Sequence, residues 1–148
     1  MQAAHDLKWE PTECGWRTQL PTEAPKFYGH PLSIDVDTRV SGDEVPLPMM
    51  SEIEIKLVNL ILAEMISLVA EAEEAFKAHH HKHHWETHLS RISNPHFWIS
   101  REQLAEVEAD HATRDDYCPG LRWTFVVGLE GSCYGTHIEF IDRSYAET

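Results

Sequence analysis

The part of the sequence best equipped for chemistry is a cluster of histidines near its middle. Six of the eleven histidines lie between positions 79 and 88. On a helix, His80, His84 and His88 would share one face, because residues four apart are neighbours. Imidazole nitrogens spaced in this way bind zinc, nickel or copper. The sequence therefore suggests a metal site at these three histidines, with zinc or nickel as the ion.

Two other interpretations of the histidine cluster stay open. Histidines near a helix C-terminus are favourable without any metal, because their partial positive charge suits the helix dipole. The cluster would then be a solvated segment with no cofactor. Histidines also change charge near neutral pH, which would make this a pH-sensitive surface.

Other catalytic patterns are weak or missing in the sequence. There is no Gly-x-Ser-x-Gly elbow and no glycine-rich phosphate loop. Cys133 and His137 could be imagined as a nucleophile and its base, but on one hairpin such a pair is usually incidental. Cys14, Cys118 and Cys133 are far apart in the chain, so we expect free thiols. We expect a protein that is not an enzyme.

The charge of the chain points to a class of partner. Twelve basic and 25 acidic residues give a formal net charge of −13. This argues against nucleic acid and anionic membrane as partners, because phosphate binding needs clustered Lys and Arg. It suits a basic protein partner, whose approach such a field accelerates. An acidic, solvated surface with no partner is the alternative.

The most acidic stretch of the sequence is the candidate binding surface. Its carboxylates would meet Lys and Arg side chains of a partner, and aromatic side chains nearby would supply buried contacts. We expect the binding residues to be Glu102, Glu106, Asp110, Asp115, Asp116, Trp85, Trp98 and Tyr117, with Phe97 as a further aromatic.

The first residues and the hydropathy pattern predict a soluble, cytoplasmic protein. The N-terminus lacks a basic region followed by an apolar one, as a signal peptide would have. The apolar run at residues 53–63 is short and interrupted by Glu54, Lys56 and Asn59, which argues against a membrane span.

A long helix over residues 51–77 is the element around which the chain is organised. Ser51 and Glu54 form a capping box, and Met50 with Ile55 form a hydrophobic staple. The predicted apolar row is Ile55, Val58, Leu62, Met65, Val69, Ala72 and Phe76. Further apolar residues widen this row, so we expect the first half of the helix to be nearly surrounded, and a homodimer is one way to cover it.

Strands are predicted on both sides of this helix. Residues 16–20, 32–40, 122–130 and 136–143 alternate or are rich in β-formers, and the last two form a hairpin. Residues 32–40 should have one buried and one wet face. A second capping box at Ser100 predicts a short helix over 100–111. We expect one α+β domain over residues 1–148, a small antiparallel sheet packed against one long helix plus a short second helix. Residues 1–15 would be a loosely ordered arm.

Three segments carry a resemblance to a known group of proteins. Residues 16–21 (WRTQLP) and 25–36 (PKFYGHPLSIDV), with the ending GTHIEF at 135–140, are similar to small bacterial α+β proteins associated with polymorphic-toxin loci. Proteins of that group are taken to be immunity proteins. The resemblance implies an inhibitor that occludes a basic partner such as a toxin. The alternatives are a histidine-rich metal-binding protein and a dimeric structural or regulatory protein.

Overall fold

The chain folds into a sheet with two helices. The structure, a computed structural model, describes residues 4–39, 50, 52–80, 89–100, 120–129 and 138–146. The described strands are β1 (Glu10–Pro11), β2 (Gly15–Gln19), β3 (Ser33–Asp37), β4 (Ile92–Ser100), β5 (Gly120–Leu129) and β6 (Ile138–Ala146). The helices are α1 (Glu52–Ala63) and α2 (Met65–His80). The predicted α+β class is confirmed.

The six strands lie side by side in chain order. Four neighbouring pairs are antiparallel, including the predicted β5–β6 pair, but β3 and β4 are parallel. Parallel neighbours need a long crossover connection, and here α1 and α2 form that connection. The sheet is therefore mixed, which corrects the expectation of a purely antiparallel one.

The predicted long helix is present as two helices that meet at Glu64. Backbone hydrogen bonds from Glu64 N to Leu60 O (3.1 Å) and from Leu68 N to Glu64 O (3.0 Å) keep the four-residue spacing across the junction. The first helix begins at Glu52, one residue after the predicted N-cap, which itself lies outside the described residues. The second is described as far as His80, so its course through the rest of the histidine cluster lies outside them too.

Most of the predicted apolar row is buried, whereas Ile55 at its start is 38% exposed. The buried members are Val58, Met65, Val69, Ala72 and Phe76, and Leu57, Ile61 and Leu68, which widen the row, are fully buried too. Ile66 is 79% exposed. The helices thus bury one face against the sheet and leave the other in solvent, which corrects the expectation that the first half is nearly surrounded.

An aromatic cluster joins the helix layer to the sheet. The Phe27 ring lies 5.6 Å from Phe76 of α2 and 5.2 Å from Phe125 of β5. Phe97 of β4 lies 5.1 Å from Phe125 and 5.4 Å from Trp123. Each such pair contributes about 0.5–1.5 kcal/mol beyond the area that it buries. This cluster fixes which face of the sheet is the core face.

Residues 4–11, within the segment expected to be a loose arm, pack onto the body of the protein. Ala4 is buried, and its N–H donates to the Asn59 side chain of α1 at 2.7 Å. The Trp9 indole donates to the Ala4 carbonyl at 2.9 Å. An apolar and a polar contact together hold the segment, and β1 then pairs with β2.

Candidate functional site

Polar side chains form a row on the sheet face opposite the helices. Arg17 of β2 pairs with Asp35 of β3, and Asp35 pairs with Trp98 of β4. Directly paired residues project from the same face of a sheet. Ser33 and His96 form the next row in the same register. These five residues define what we call the polar face.

The polar face is less wet than the alternation of residues 32–40 predicts. Ser33 and Asp37 are 1% and 7% exposed, although both lie opposite the core face. The Arg39 guanidinium covers Asp37, donating to its two carboxylate oxygens at 3.0 and 2.7 Å. Ser33 lies between Gln19 and His96 of the neighbouring strands. The expectation of one buried and one wet face is therefore corrected.

Asp35 is the centre of the charges on this face. Its Oδ1 atom lies 3.6 Å from Arg17 Nε, and its Oδ2 atom lies 3.9 Å from His96 Nε2. Arg17 also donates through Nη2 to the Asn94 side-chain oxygen. One carboxylate is thus flanked by two basic groups, neither at the short distance of a strong ion pair.

A bulge in β4 places the histidine on this face. The β4–β5 register shifts between Ser93 and His96, across Asn94 and Pro95. Asn94 has a φ of 51°, a left-handed value that asparagine tolerates better than most residues. Proline has no N–H for the ladder and is found at such bulges. The bulge turns the Asn94 carbonyl toward His96, whose Nδ1–H donates to it at 2.8 Å.

A tight turn before β2 forms the rim. The Thr12 hydroxyl accepts hydrogen bonds from Cys14 N and Gly15 N, at 3.2 and 3.0 Å. The Cys14 carbonyl in turn accepts from Thr38 N at 2.9 Å. Gly15 is required here, because a Cβ at this position would lie 2.2 Å from the Val36 carbonyl oxygen. The missing side chain lets the turn lie directly against β3.

The rim and the polar face line an open cavity of about 560 Å³. Its walls include Glu13 and Cys14 of the rim, Arg17, Asp35 and Trp98. A volume of about 300–1,000 Å³ is typical of sites for small molecules. Carboxylates, a guanidinium and a half-buried indole around one space suit recognition of a polar or charged group.

Trp98 is the predicted binding residue that the structure describes, and it lies in this cavity. Trp98 is half-buried on its wall, whereas Phe97, next to it, is fully buried in the core. The other predicted binding residues lie outside the described residues: Trp85, Glu102, Glu106, Asp110, Asp115, Asp116 and Tyr117. The predicted short helix falls mostly outside them as well, and Ser100 is the last residue of β4.

The described structure reaches the edge of the predicted metal site. His80 is the last residue of α2, and His79 before it is exposed. His84 and His88 lie outside the described residues. Within the described part of the chain, no three His, Cys, Asp or Glu side chains come together as a metal site. None of the described helices is both long enough and apolar enough to cross a membrane.

The site residues that the sequence did not single out are Arg17, Asp35, Asn94 and His96. The alternation in β3 was a usable signal for Asp35, because it placed this carboxylate opposite the core face. Nothing local indicated that Arg17 and His96 would flank it, since β4 was not predicted. Comparison of the chain with known protein families, with curated proteins and with solved structures finds no match.

Proposed function

We propose that this chain is a non-enzymatic binding protein, an immunity-type inhibitor that occludes a basic protein partner such as a bacterial toxin. The observation that carries the proposal is the cavity on the polar face, where the half-buried Trp98 indole lies beside exposed or half-exposed carboxylates. Indoles in concave, partly desolvated surfaces are frequent centres of protein interfaces. The net charge of −13 favours a partner of opposite sign.

The acidic stretch of the sequence would extend this surface. Glu102, Glu106, Asp110, Asp115 and Asp116 follow β4 in the chain, with Tyr117 after them, whereas Trp85 precedes β4. Charges at the rim of an interface act mostly on the association rate and on its salt dependence. Trp98 would act instead on the dissociation rate, because it is a desolvated contact.

The test is association with a basic protein partner, sought first among the products of the flanking genes. Reversing the charges at Glu106, Asp110 and Asp116 should slow association and flatten its dependence on salt. The Trp98→Ala variant should dissociate faster, whereas Ile66→Ala, a matched truncation on the helix layer, should bind as wild type does. Binding that ignores both the charge reversal and Trp98→Ala would end the proposal.

A second candidate function is metal binding by the histidine cluster. What favours it is that α2 is helical through His79 and His80, so the required geometry begins at the first histidines. If that geometry continues, His80, His84 and His88 present three imidazoles to zinc or nickel. Metal analysis of protein purified without a nickel column tests this. Stoichiometric zinc that is lost in the triple alanine variant supports the site, and metal-free active protein refutes it.

A homodimer is the third candidate, favoured by the exposed Ile66. This residue follows Met65, which lines a groove of about 300 Å³ with Leu20, Pro21 and Leu62. An exposed apolar side chain beside an apolar groove is a common feature of self-association surfaces. Sedimentation at micromolar concentration should show a dimer that Ile66→Asp converts to monomer. A wild-type monomer at that concentration removes this candidate.

A further inference from the structure

We propose that the cavity on the polar face receives a basic side chain, an arginine or a lysine, from the bound partner. The inference rests on the proposed function and names the group that enters the site. Three features of the described residues lead to it: an under-coordinated carboxylate, an aromatic wall and an exposed carboxylate on the rim.

The under-coordinated carboxylate is that of Asp35. Its contacts are all long: 3.5 Å from the Ser33 hydroxyl, 3.6 Å from Arg17 Nε and 3.9 Å from His96 Nε2. Strong charge-assisted hydrogen bonds are about 2.7–2.9 Å long, and a carboxylate can accept about four. Asp35 therefore has capacity for another cationic donor, and its side chain is 26% exposed to receive one.

Asp37, the next carboxylate on β3, makes the short hydrogen bonds that Asp35 lacks. Asp37 accepts from Arg39 Nε and Nη2 at 3.0 and 2.7 Å, and from Arg39 N at 3.0 Å. This bidentate pair uses the acceptor capacity of Asp37 and neutralises Arg39. The two residues form a wall of the cavity that neither attracts nor repels a cation strongly.

Two further groups favour a cation at the same place. Glu13 on the rim is exposed and adds a negative charge, so that the carboxylates of Glu13, Asp35 and Asp37 outnumber the guanidinium groups of Arg17 and Arg39. The Trp98 indole offers a π-face, to which Lys and Arg side chains are attracted at exposed or half-buried sites. A guanidinium or ammonium group would find both kinds of contact.

Arg17 is the group that opposes a cationic ligand, and its removal distinguishes a cation site from an anion site. Its side chain is 38% exposed, and its guanidinium lies beside Asp35, where it would compete with an incoming cation for that carboxylate. Removing Arg17 should therefore strengthen binding of a cation. If the site instead took an anion through Arg17, the same change should abolish binding.

The test uses short blocked peptides as probes for the isolated side chain. Acetyl-Gly-Arg-Gly-amide and its lysine, citrulline and glutamate analogues are titrated into the full chain at low salt. The Trp98 indole resonance is followed by NMR and assigned with Trp98→Phe. We expect the Trp98 resonance to shift saturably with the arginine peptide, the lysine peptide or both, and a comparison of the two shows which side chain the cavity prefers. We expect no shift with the citrulline or the glutamate peptide.

Three variants give the expected signs. Asp35→Asn should weaken binding about tenfold, the value for losing a hydrogen bond to a charged group. Arg17→Met should strengthen binding several-fold. Glu13→Gln on the exposed rim should weaken it about twofold without any risk to folding, and Glu52→Gln on the exposed start of α1 is the matched control that should change nothing. Thermal melts of each variant confirm that it is folded.

The outcomes separate this inference from the proposed function. A basic partner that binds wild type and Asp35→Asn equally, with no peptide shift at Trp98, overturns the basic-side-chain site and leaves the proposed function intact. Binding of the glutamate peptide, lost in Arg17→Met, also overturns it in favour of an anion site. Peptide binding with the expected signs supports the site, even if no protein partner binds and the proposed function fails.

Discussion

Truncation of two adjacent residues of β4 should cost very different amounts of stability. Phe97 is fully buried, with its ring 5.1 Å from Phe125 and 5.4 Å from Trp123, whereas Trp98 is half-buried on the cavity wall. Phe97→Ala removes a core ring and leaves a cavity, which costs about 3–5 kcal/mol. Trp98→Ala removes a larger side chain but should cost only about 1 kcal/mol, because that site is open to solvent.

Urea denaturation measures the loss of unfolding free energy in both variants, and thermal melts measure the change in Tm. A total stability of about 5–15 kcal/mol makes the loss in Phe97→Ala a large fraction of the whole. In a domain of this size it should lower Tm by about 10 °C, whereas Trp98→Ala should lower it by about 3 °C. Partner binding should show the reverse order, with the loss confined to Trp98→Ala at temperatures where both variants are folded. Equal destabilisation by the two substitutions, or a harmless Phe97→Ala, would refute the strand register that defines the polar face.

Three further predictions follow from the described residues. Gly15→Ala should destabilise the fold by about 3 kcal/mol or more, because its Cβ would overlap the backbone carbonyl oxygen of Val36 at 2.2 Å and force the turn away from β3. Gly29 has a φ of 81° and open space around it, so Gly29→Ala should cost about 1–2 kcal/mol for the left-handed backbone alone. Thermal melts that rank Gly29→Ala as the costlier change would contradict the close approach of the Gly15 turn to β3. Burial, and then the carboxylates of Glu73 and Glu74, raise the pKa of Tyr28 above 10.0. The free energy of unfolding should therefore fall as pH rises above 10.0 toward the pKa of Tyr28 in the folded protein. In a titration followed by tyrosinate absorbance, the tyrosine that ionises at the higher pH should be missing from Tyr28→Phe. Asn94→Gly should leave stability within about 0.5 kcal/mol of wild type, because glycine accepts the same φ, and a larger loss in urea would mean that its side-chain contact matters more than its backbone.

The strands with regular alternation could be predicted from the sequence. Local turn residues and period-two patterning identified β2, β3 and the β5–β6 pair, and the capping box located the start of α1. These features depend on residues close together in the chain. The strand β4 was missed, because Asn94 and Pro95 interrupt its pattern and because it is buried on one face and half-buried on the other.

The candidate site was largely beyond reach of the sequence for a related reason. Arg17, Asp35 and His96 come together only because β3 and β4 run parallel, which depends on the path of the helices between them. No local spacing encodes that pairing. Trp98 was predicted as a binding residue on grounds of type alone, and the structure adds its position on a cavity wall.

Fluorine NMR of the fluorotryptophan-labelled chain tests directly whether the polar face binds a basic partner. During titration with that partner, the Trp98 resonance should shift or broaden, and the change should saturate at one equivalent. The Trp9 resonance, from the segment bonded to α1 on the opposite side, should stay in place. A complex that moves Trp9 and leaves Trp98 unchanged would contradict the claim, because the partner would then cover the helix layer and not the polar face.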